Sequence, residues 1–189
     1  MKPLMIILAG KAGTGKTTLA RALSKQLHFP YFDYDTLIQP FLKTIEEKYG
    51  IGSEGRNHFY QTWRSASYKT LWNAVFENID LGCNVVLSAP LSKEILNASF
   101  PEELGKKTKN AFRLLLCYMA PPADIHYDRI LKRSSERDSD LMQDKTLFAT
   151  QYRAEKPLWN EELVLYLDVG DMNTNMQRIL QKIRDMEQA

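Results

Sequence analysis

The chain is poor in the residues that mark disulfide-rich proteins, metal sites and electrostatic binders. Its 189 residues include two cysteines and three histidines, all widely separated. Such spacing indicates neither a disulfide framework nor a zinc site, and it fits a reducing, cytoplasmic setting. The 25 basic and 23 acidic residues leave a net charge of +2. That balance argues against a nucleic-acid or membrane-surface partner, since such binding needs a clustered basic excess.

Long apolar runs are absent as well. The start, MKPLMIILAG, superficially imitates a signal peptide, but its apolar run is short and leads into glycines rather than to a cleavage site. No stretch has the length of a transmembrane helix. With 44% hydrophobic and 25% charged residues, the composition predicts one globular domain over residues 1–189.

What the chain does contain is an alternation of short apolar runs with longer amphipathic stretches. Most of these runs are apolar on both faces, which is expected of parallel strands covered by helices on both sides. The pattern therefore predicts an α/β fold with a parallel sheet between helical layers. The five predicted strands are Leu4–Ala9, Tyr31–Asp33, Asn84–Ala89, Phe112–Met119 and Leu163–Val169.

Six helices are predicted between and after these strands. Pro40 leaves the start of the second helix open, because proline is comfortable only in a first turn. Asn173 is the predicted N-cap of the last helix. The predicted helices run from the first loop to Leu27, over Thr36–Lys48, Arg56–Ile79, from after Pro122 to Arg133, over Leu141–Ala154 and over Asn173–Met186.

A glycine-rich loop joins the first strand to the first helix. GKAGTGKT, residues 10–17, satisfies G-x-x-x-x-G-K-[ST], the phosphate-binding loop, in the strand-to-helix context that this motif requires. Its glycines let backbone N–H groups curl around a phosphate, while the lysine reaches the β- and γ-phosphates and the threonine hydroxyl can ligate Mg²⁺. The residues predicted to bind ATP here are Gly10, Ala12, Gly13, Thr14, Gly15, Lys16, Thr17 and Thr18.

Two aspartates follow at the end of the second strand, in the segment FDYD. Asp33 and Asp35 fall where open α/β sheets bind ligands, and they point the same way if the strand continues. One could hold magnesium while the other accepts a proton from a substrate hydroxyl. Alternatively, Asp35 merely caps the following helix.

Three arginines recur at a spacing of four. Arg129, Arg133 and Arg137 share a helix face in DRILKRSSERDSD. Arginines that close over the nucleotide would neutralise charge on the transferring phosphoryl group. A solvated helix face paired with neighbouring acids is the alternative.

The third strand lacks an acid at its tip. Motor ATPases end a strand with an acidic pair that holds magnesium and polarises water, but NVVLSAP places Ser88 there. Water activation is therefore poorly provided for. Phosphoryl transfer to a bound hydroxyl, with Asp33 and Asp35 taking part, fits better.

Together, the phosphate loop, the F-D-x-D strand end and the arginines resemble the small P-loop kinases, whose relatives include shikimate, gluconate and adenylate kinases. The resemblance implies a sheet ordered 2-3-1-4-5, a lid at about residues 133–141 and a helical substrate region at about 36–80. It implies that Lys16 and Thr17 serve ATP and Mg²⁺, that Asp33 and Asp35 form the acid pair, with Thr17 and Asp33 at the metal, and that Arg129, Arg133 and Arg137 serve the lid. Several relatives carry an aspartate at the position of Ser88.

The acceptor would lie between the phosphate loop and the helical region. Arg56, Tyr60 and Arg64 recur every four residues and could, with Asp35, hold an acceptor that bears a carboxylate or phosphate. An exposed amphipathic helix explains the same spacing. The sequence thus predicts an ATP-dependent kinase of a small hydroxyl- or phosphate-bearing molecule, acting as a monomer or homodimer. An ATP-binding regulatory module without an acceptor and a nucleic-acid 5′-end kinase are the alternatives.

Overall fold

A five-stranded parallel sheet forms the centre of the computed structural model, with the strand order 2-3-1-4-5. The structure describes residues 2–108, 111–133, 148, 155–167 and 171–188, and of residues 56, 57, 123, 124 and 133 the backbone only. The fold class and strand order predicted above are confirmed. The strands are β1 Leu4–Ala9, β2 Tyr31–Asp33, β3 Val85–Ala89, β4 Arg113–Met119 and β5 Val164–Leu167.

Helices cover both faces of this sheet. Their bounds agree closely with the predicted ones, and two short 3₁₀ turns, Glu94–Leu96 and Glu161–Leu163, precede α4 and β5. Within the described residues, no helix is long and apolar enough to cross a membrane. The helices are α1 Lys16–Leu27, α2 Tyr34–Tyr49, α3 Gly55–Asp80, α4 Phe100–Lys107, α5 Ala123–Arg133 and α6 Met172–Gln188.

The central strand β1 contributes side chains to two separate apolar cores. All six of its residues are buried, and alternate side chains point to opposite faces because strands have a period of two. Met5, Ile7 and Ala9 pack with α3 on one face. Leu4, Ile6 and Leu8 pack with α1 and α6 on the other. A strand buried on both faces reads as one continuous apolar run, which is why β1 is recognisable from sequence.

The sheet register brings three strand ends to one edge. Asp33 of β2 lies opposite Ser88 of β3, and Ser88 lies opposite Leu8 of β1. The phosphate loop leaves β1 two residues after Leu8. The carboxyl ends of these neighbouring strands therefore converge on the N-terminus of α1, where open α/β sheets bind ligands.

The start of α2 differs from the prediction. Asp33, not Asp35, caps this helix, because its Oδ1 accepts hydrogen bonds from the backbone N–H and the hydroxyl of Thr36 at 2.9 and 3.0 Å. The helix consequently begins at Tyr34, which places Pro40 in its interior instead of its first turn. There the missing N–H leaves the carbonyl of Thr36 without its usual helical donor.

Three further points concern the helices. Asp171, not Asn173, caps α6, since its carboxylate accepts the backbone N–H groups of Asn173 and Thr174 and the Thr174 hydroxyl. Helix α4 was not predicted, although Pro101 in its first turn followed by two glutamates is a start signal. The helix predicted over 141–154 lies outside the described residues.

Candidate active site

The phosphate loop curls between β1 and α1 with its lysine turned inward. Lys16 is 9% exposed, and its Nζ donates a hydrogen bond to the carbonyl of Lys11 at 2.7 Å. The Thr14 hydroxyl donates to the same carbonyl at 3.0 Å. Gly13 has a φ of +77°, a conformation that favours glycine. The loop is thus held by its own side chains around a concave backbone.

A cavity of about 410 Å³ opens in front of this loop. Its walls come from the phosphate loop and the start of α1, from the β2–α2 junction with Asp33 and Asp35, and from the tip of β3 at Ser88. Arg129 of α5 completes the lining. Residues that are distant in sequence and that the motifs singled out one by one therefore meet in a single cavity.

Asp33 makes several hydrogen bonds within this cavity. Besides capping α2, its Oδ2 accepts a hydrogen bond from the Tyr31 hydroxyl at 2.8 Å and lies 3.4 Å from the hydroxyl of Thr17. Burial by itself would raise the pKa of Asp33, but the hydrogen bonds from Thr36, Tyr31 and Ser88 outweigh it and lower that pKa. Asp33 is therefore a carboxylate at neutral pH.

The neighbouring Tyr31 shows the opposite effect. Burial, together with the hydrogen bond to Asp33 and the charge of that carboxylate, raises the pKa of Tyr31 to about 12. Its hydroxyl consequently stays protonated and keeps donating to Asp33. Asp33 is in this way held in one orientation, with one oxygen toward α2 and the other toward Thr17.

Asp35 lines the same cavity, but from a helix and not from the end of a strand as the sequence pattern suggested. Strand β2 ends at Asp33, so strand alternation does not align the two aspartates. Asp35 lies instead in the first turn of α2, where it is exposed and lines the cavity. Since Asp33 supplies the helix cap, the carboxylate of Asp35 is not needed for that purpose.

Helix α5 contacts the phosphate loop at three successive loop residues. His126 is 2% exposed, and its Nε2 is hydrogen-bonded to the carbonyl of Ala12. Arg129 donates to the carbonyl of Thr14 at 3.2 Å. Between them, Ile130 packs so closely on Gly13 that a Cβ there would come within 2.7 Å of its Cγ1. The helix and the loop therefore form one packed unit.

His126 stands in a cationic environment. Burial lowers its pKa most; the hydrogen bond to Ala12 raises it, while Lys11, Lys16 and Arg129 lower it again, and the net shift is downward. Its ring also meets Phe148 edge-on, with centroids 5.3 Å apart. Nothing in the sequence indicated that His126 contacts the phosphate loop, because a lone histidine carries no spacing pattern and is usually structural. The contact with Ala12 spans 114 positions.

Two of the predicted acceptor residues, Arg64 and Tyr60, lie in different surroundings. Arg64 makes a bidentate pair with Glu94 at 2.8 and 2.7 Å. Burial opposes the charge of Arg64, yet Glu94 outweighs it and raises the arginine's pKa. Tyr60 packs against the apolar cluster around Phe59. The side chains of Arg56 and Arg133, and the whole of Arg137 and the predicted lid beyond residue 133, lie outside the described residues.

Comparison with known sequences finds two classes of relative. The family model for shikimate kinase matches residues 12–88. A shikimate kinase from Bacteroides fragilis is 45% identical over 52 residues, which are 27% of this chain and 29% of that protein. A guanylate kinase from Clostridium acetobutylicum is 26% identical over 164 residues, 80% of this chain and 72% of that protein. The match to the shikimate kinase thus spans less than a third of its length.

Comparison of structures extends the similarity over almost the whole chain. A protein of Chloroflexus aurantiacus described as a kinase superimposes with a TM-score of 0.67 at 19% identity, covering 98% of both chains. A gluconokinase from Sinorhizobium meliloti gives a TM-score of 0.60 at 16% identity, covering 97% of this chain and 93% of that one. The chain has the fold of the small P-loop kinases. The resemblance stated from the sequence is confirmed at this level.

Within this P-loop kinase fold, several cavity residues were not anticipated. Ala89 and Pro90 line the cavity, yet neither spacing nor chemistry marked them in the sequence. Ser88, noted only as a departure from relatives, is 2% exposed, lies opposite Asp33 in the sheet register and helps to lower the pKa of that carboxylate. A serine at this position therefore still takes part in the site, although it carries no charge. It supports the carboxylate of the neighbouring strand.

Proposed function

We propose that the protein is an ATP-dependent phosphotransferase that moves the γ-phosphate of ATP to a hydroxyl of a small molecule. One observation supports this most directly, namely that two carboxylates at the β2–α2 junction share one cavity with the phosphate loop. A nucleotide-binding module needs the loop alone. A transferase also needs a group that can receive a proton at the acceptor.

The phosphate loop would hold the triphosphate. The backbone N–H groups of the loop and the N-terminus of α1 favour the phosphate oxygens. Lys16 brings a cation to the β- and γ-phosphates, and Arg129 of α5, which contacts the loop at Thr14, supplies a second cation to the same cavity. Both charges compensate the negative charge that spreads over the transferring group. The region toward Arg133 and Arg137 is assigned to the lid on sequence grounds.

Thr17 and Asp33 fit a magnesium ion. Mg²⁺ prefers hard oxygen ligands and is usually held by one or two carboxylates together with phosphate oxygens. The Thr17 hydroxyl and the Asp33 carboxylate lie 3.4 Å apart, and the lowered pKa of Asp33 keeps it charged. When bound, magnesium would neutralise charge on the phosphates. The chain's own contribution is an anionic oxygen held in a fixed orientation.

Asp35 would take the proton from the acceptor. The acceptor oxygen forms a bond to the γ-phosphorus while the bond between that phosphorus and the β–γ bridging oxygen breaks. ADP leaves with the bonding electron pair, and the hydroxyl proton passes to the Asp35 carboxylate. Asp33 is less suited to this task because, despite its burial, the hydrogen bonds from Thr36 and Tyr31 lower its pKa and so make it a weaker base than an ordinary carboxylate.

A hydroxyl acceptor is favoured over a phosphate acceptor. Binding a phosphate would require cations, and Arg64, predicted for that purpose, has both terminal nitrogens engaged with Glu94. Apart from the phosphate loop, the start of α1, the two aspartates and Arg129, the described lining of the cavity consists of Tyr34, Ser88, Ala89 and Pro90, all uncharged. These groups suit a neutral molecule that offers hydroxyls for hydrogen bonding.

The test is an ADP-release screen over sugars, polyols, acids, aminoglycosides, nucleotides and oligonucleotide 5′ ends. With the acceptor found, Asp35→Asn should lower kcat by about 10²- to 10⁴-fold while ATP still binds, and Lys16→Ala should abolish turnover. Matched controls are Asp80→Asn, an exposed aspartate at the end of α3, and Lys25→Ala, an exposed lysine on α1. Both should retain full activity.

Three outcomes would contradict the proposal. If Lys16→Ala left acceptor-dependent turnover intact, the phosphate loop would not serve the reaction. If ATP bound tightly but no acceptor in the panel raised ADP release, a regulatory module would be the better description. Turnover with oligonucleotide ends alone, weakening steeply with salt, would instead identify a nucleic-acid kinase.

A further inference from the structure

A second cavity lies on the side of α3 that faces α4. Its volume is about 770 Å³, and it shares no lining residue with the cavity at the phosphate loop. One wall is a continuous face of α3 from Gln61 to Phe76. The other wall is formed by Lys93, Glu94 and Lys107. We refer to this cavity as the α3–α4 groove. Small-molecule sites usually have volumes of about 300 to 1,000 Å³.

The floor of the α3–α4 groove is aromatic. Trp72 is 6% and Tyr68 7% exposed, and Phe76 is half-buried. The rings of Trp72 and Phe76 lie 5.8 Å apart at an interplanar angle of 20°, so they present nearly parallel faces. Because Tyr68 and Trp72 are largely covered, a flat ring entering the groove would stack on this floor chiefly against Phe76 and exclude water from it. An inorganic ion could make no use of such a surface.

The rim of the groove is cationic. Lys69, Lys93 and Lys107 are all exposed and line the groove, and none of them has an ion-pair partner among the residues that the structure describes. The groove's four cationic side chains and single carboxylate give it a net charge of +3. The whole protein has a net charge of only +2, so positive charge is concentrated here. Such a concentration attracts anions.

Two charged residues of the groove form an ion pair with each other. Arg64 and Glu94 are 15% and 12% exposed, and the guanidinium also stacks 4.2 Å above the ring of Tyr68. The charges of this pair therefore cancel. Among the described residues, the uncompensated charge of the groove lies with the three lysines, which line the same cavity as the aromatic rings.

We propose that the α3–α4 groove binds a planar aromatic small molecule that carries two or more negative charges. The ring stacks on the Trp72–Phe76 floor and the charges meet the lysine rim. Nucleoside polyphosphates and aromatic polyacids share this chemistry. The site is separate from the proposed transfer reaction and does not depend on it.

The test measures binding of three probes by calorimetry. Naphthalene-1,3,6-trisulfonate combines ring and charge, 2-naphthol offers the ring alone, and citrate offers the charge alone. The trisulfonate should bind at least about tenfold more tightly than either of the others. ATP and phthalate, an aromatic dicarboxylate, then distinguish the two natural sources of the shared chemistry. ATP binding is compared between the unmodified protein and the Lys16→Ala variant, in which the phosphate loop is impaired.

Charge-reversed variants locate the binding. Lys69→Glu, Lys93→Glu and Lys107→Glu should each weaken trisulfonate binding by about three- to tenfold, an effect that high salt reduces. Lys106→Glu is the matched control, because Lys106 is exposed on α4 next to Lys107 but does not line the groove. Phe76→Leu keeps an apolar floor but removes the flat face, and it should reduce the preference for the trisulfonate over citrate.

Four results would overturn the proposal. The first is that the trisulfonate binds no better than citrate. The second is that Lys106→Glu weakens trisulfonate binding as much as the groove variants do. The third is that Lys16→Ala abolishes trisulfonate binding, which would place the probe at the phosphate loop. An acidic peptide that bound more tightly than every small probe through the same lysines would show that the groove is a protein-docking surface. Equal urea midpoints of all variants ensure that a loss of binding is not a loss of folding.

Discussion

Replacing Gly13 by alanine tests how tightly α5 is packed on the phosphate loop. Gly13 has a φ of +77°, and an added Cβ would lie 2.7 Å from Cγ1 of Ile130. Ile130 is 1% exposed, so its branched side chain has little room to move away. The substitution therefore combines backbone strain with a steric clash against the helix.

Gly52 separates these two effects. Its φ of +75° matches that of Gly13, but a Cβ at Gly52 would meet nothing within 4 Å. Gly52→Ala should thus lower the free energy of unfolding by the left-handed penalty alone, about 1–2 kcal/mol. Gly13→Ala adds overpacking of about 1–3 kcal/mol, giving about 2–5 kcal/mol in total.

Urea unfolding followed by circular dichroism measures these changes, and a double-mutant cycle isolates the contact. Ile130→Ala alone should cost about 2–5 kcal/mol through the cavity that it leaves. In that background the clashing carbons are gone, so Gly13→Ala should cost no more than Gly52→Ala does. The cycle should accordingly give a coupling energy of about 1–3 kcal/mol between residues 13 and 130.

Additivity would refute this reasoning. If Gly13→Ala and Ile130→Ala contributed independently, or if Gly13→Ala cost no more than Gly52→Ala, then α5 would not be packed on the loop as described. The same set of variants can be tested for ATP affinity. Gly13→Ala should weaken it more than Gly52→Ala, since only the former alters the backbone around the phosphates.

Three further predictions concern buried polar groups. His126→Ala removes the hydrogen bond to the carbonyl of Ala12 and should weaken ATP binding, measured by calorimetry, by about five- to tenfold, whereas His126→Gln should restore part of it. Because the pKa of Asp33 in the folded chain lies below its ordinary value of 3.8, the stability it contributes is complete above that pH and is lost as the pH falls through the folded pKa. Asp33→Asn should therefore remove this acid-dependent part of the urea-measured stability. Arg64→Ala should destabilise the protein by about 1–3 kcal/mol in urea, because it leaves the carboxylate of Glu94 half-buried without its partner.

An exposed ion pair provides the control for Arg64→Ala. Lys156 and Glu161 lie 2.9 Å apart with side chains 67% and 79% exposed, so Lys156→Ala should change stability by less than about 0.5 kcal/mol. Similar losses from both substitutions would show that burial does not distinguish the two pairs. For Asp33, an acid dependence that persists unchanged in Asp33→Asn would assign it to other carboxylates.

The fold was predictable because its signals are local. Short apolar runs marked the strands, and the glycine loop in its strand-to-helix context indicated where the sheet meets a phosphate site. The errors fall where two candidate residues compete for one role. Asp33 and Asp35 are both plausible caps, as are Asp171 and Asn173, and only the backbone path decides which carboxylate meets the free N–H groups.

The site was predictable only in its nucleotide half. The phosphate loop, Asp33 and Asp35 were identified because one motif and one strand end place them in the same cavity. His126 was not, because its contact with Ala12 joins positions 114 residues apart. Such contacts depend on how α5 docks, and no periodicity in the sequence of a helix encodes its docking partner.

Arg64 shows why the acceptor half resisted prediction. Helical spacing correctly placed it on one face with Tyr60, and an arginine in a cleft is a reasonable anion receptor. Its charge, however, is compensated by Glu94, which lies 30 residues further along in a 3₁₀ turn that the sequence pattern did not reveal. Among the described residues of this region, Lys69, Lys93 and Lys107 have no ion-pair partner, and they line the α3–α4 groove. The charge of Arg64 is thus used in a structural ion pair, while the anion-binding role of the whole set of Arg56, Tyr60 and Arg64 stays a prediction.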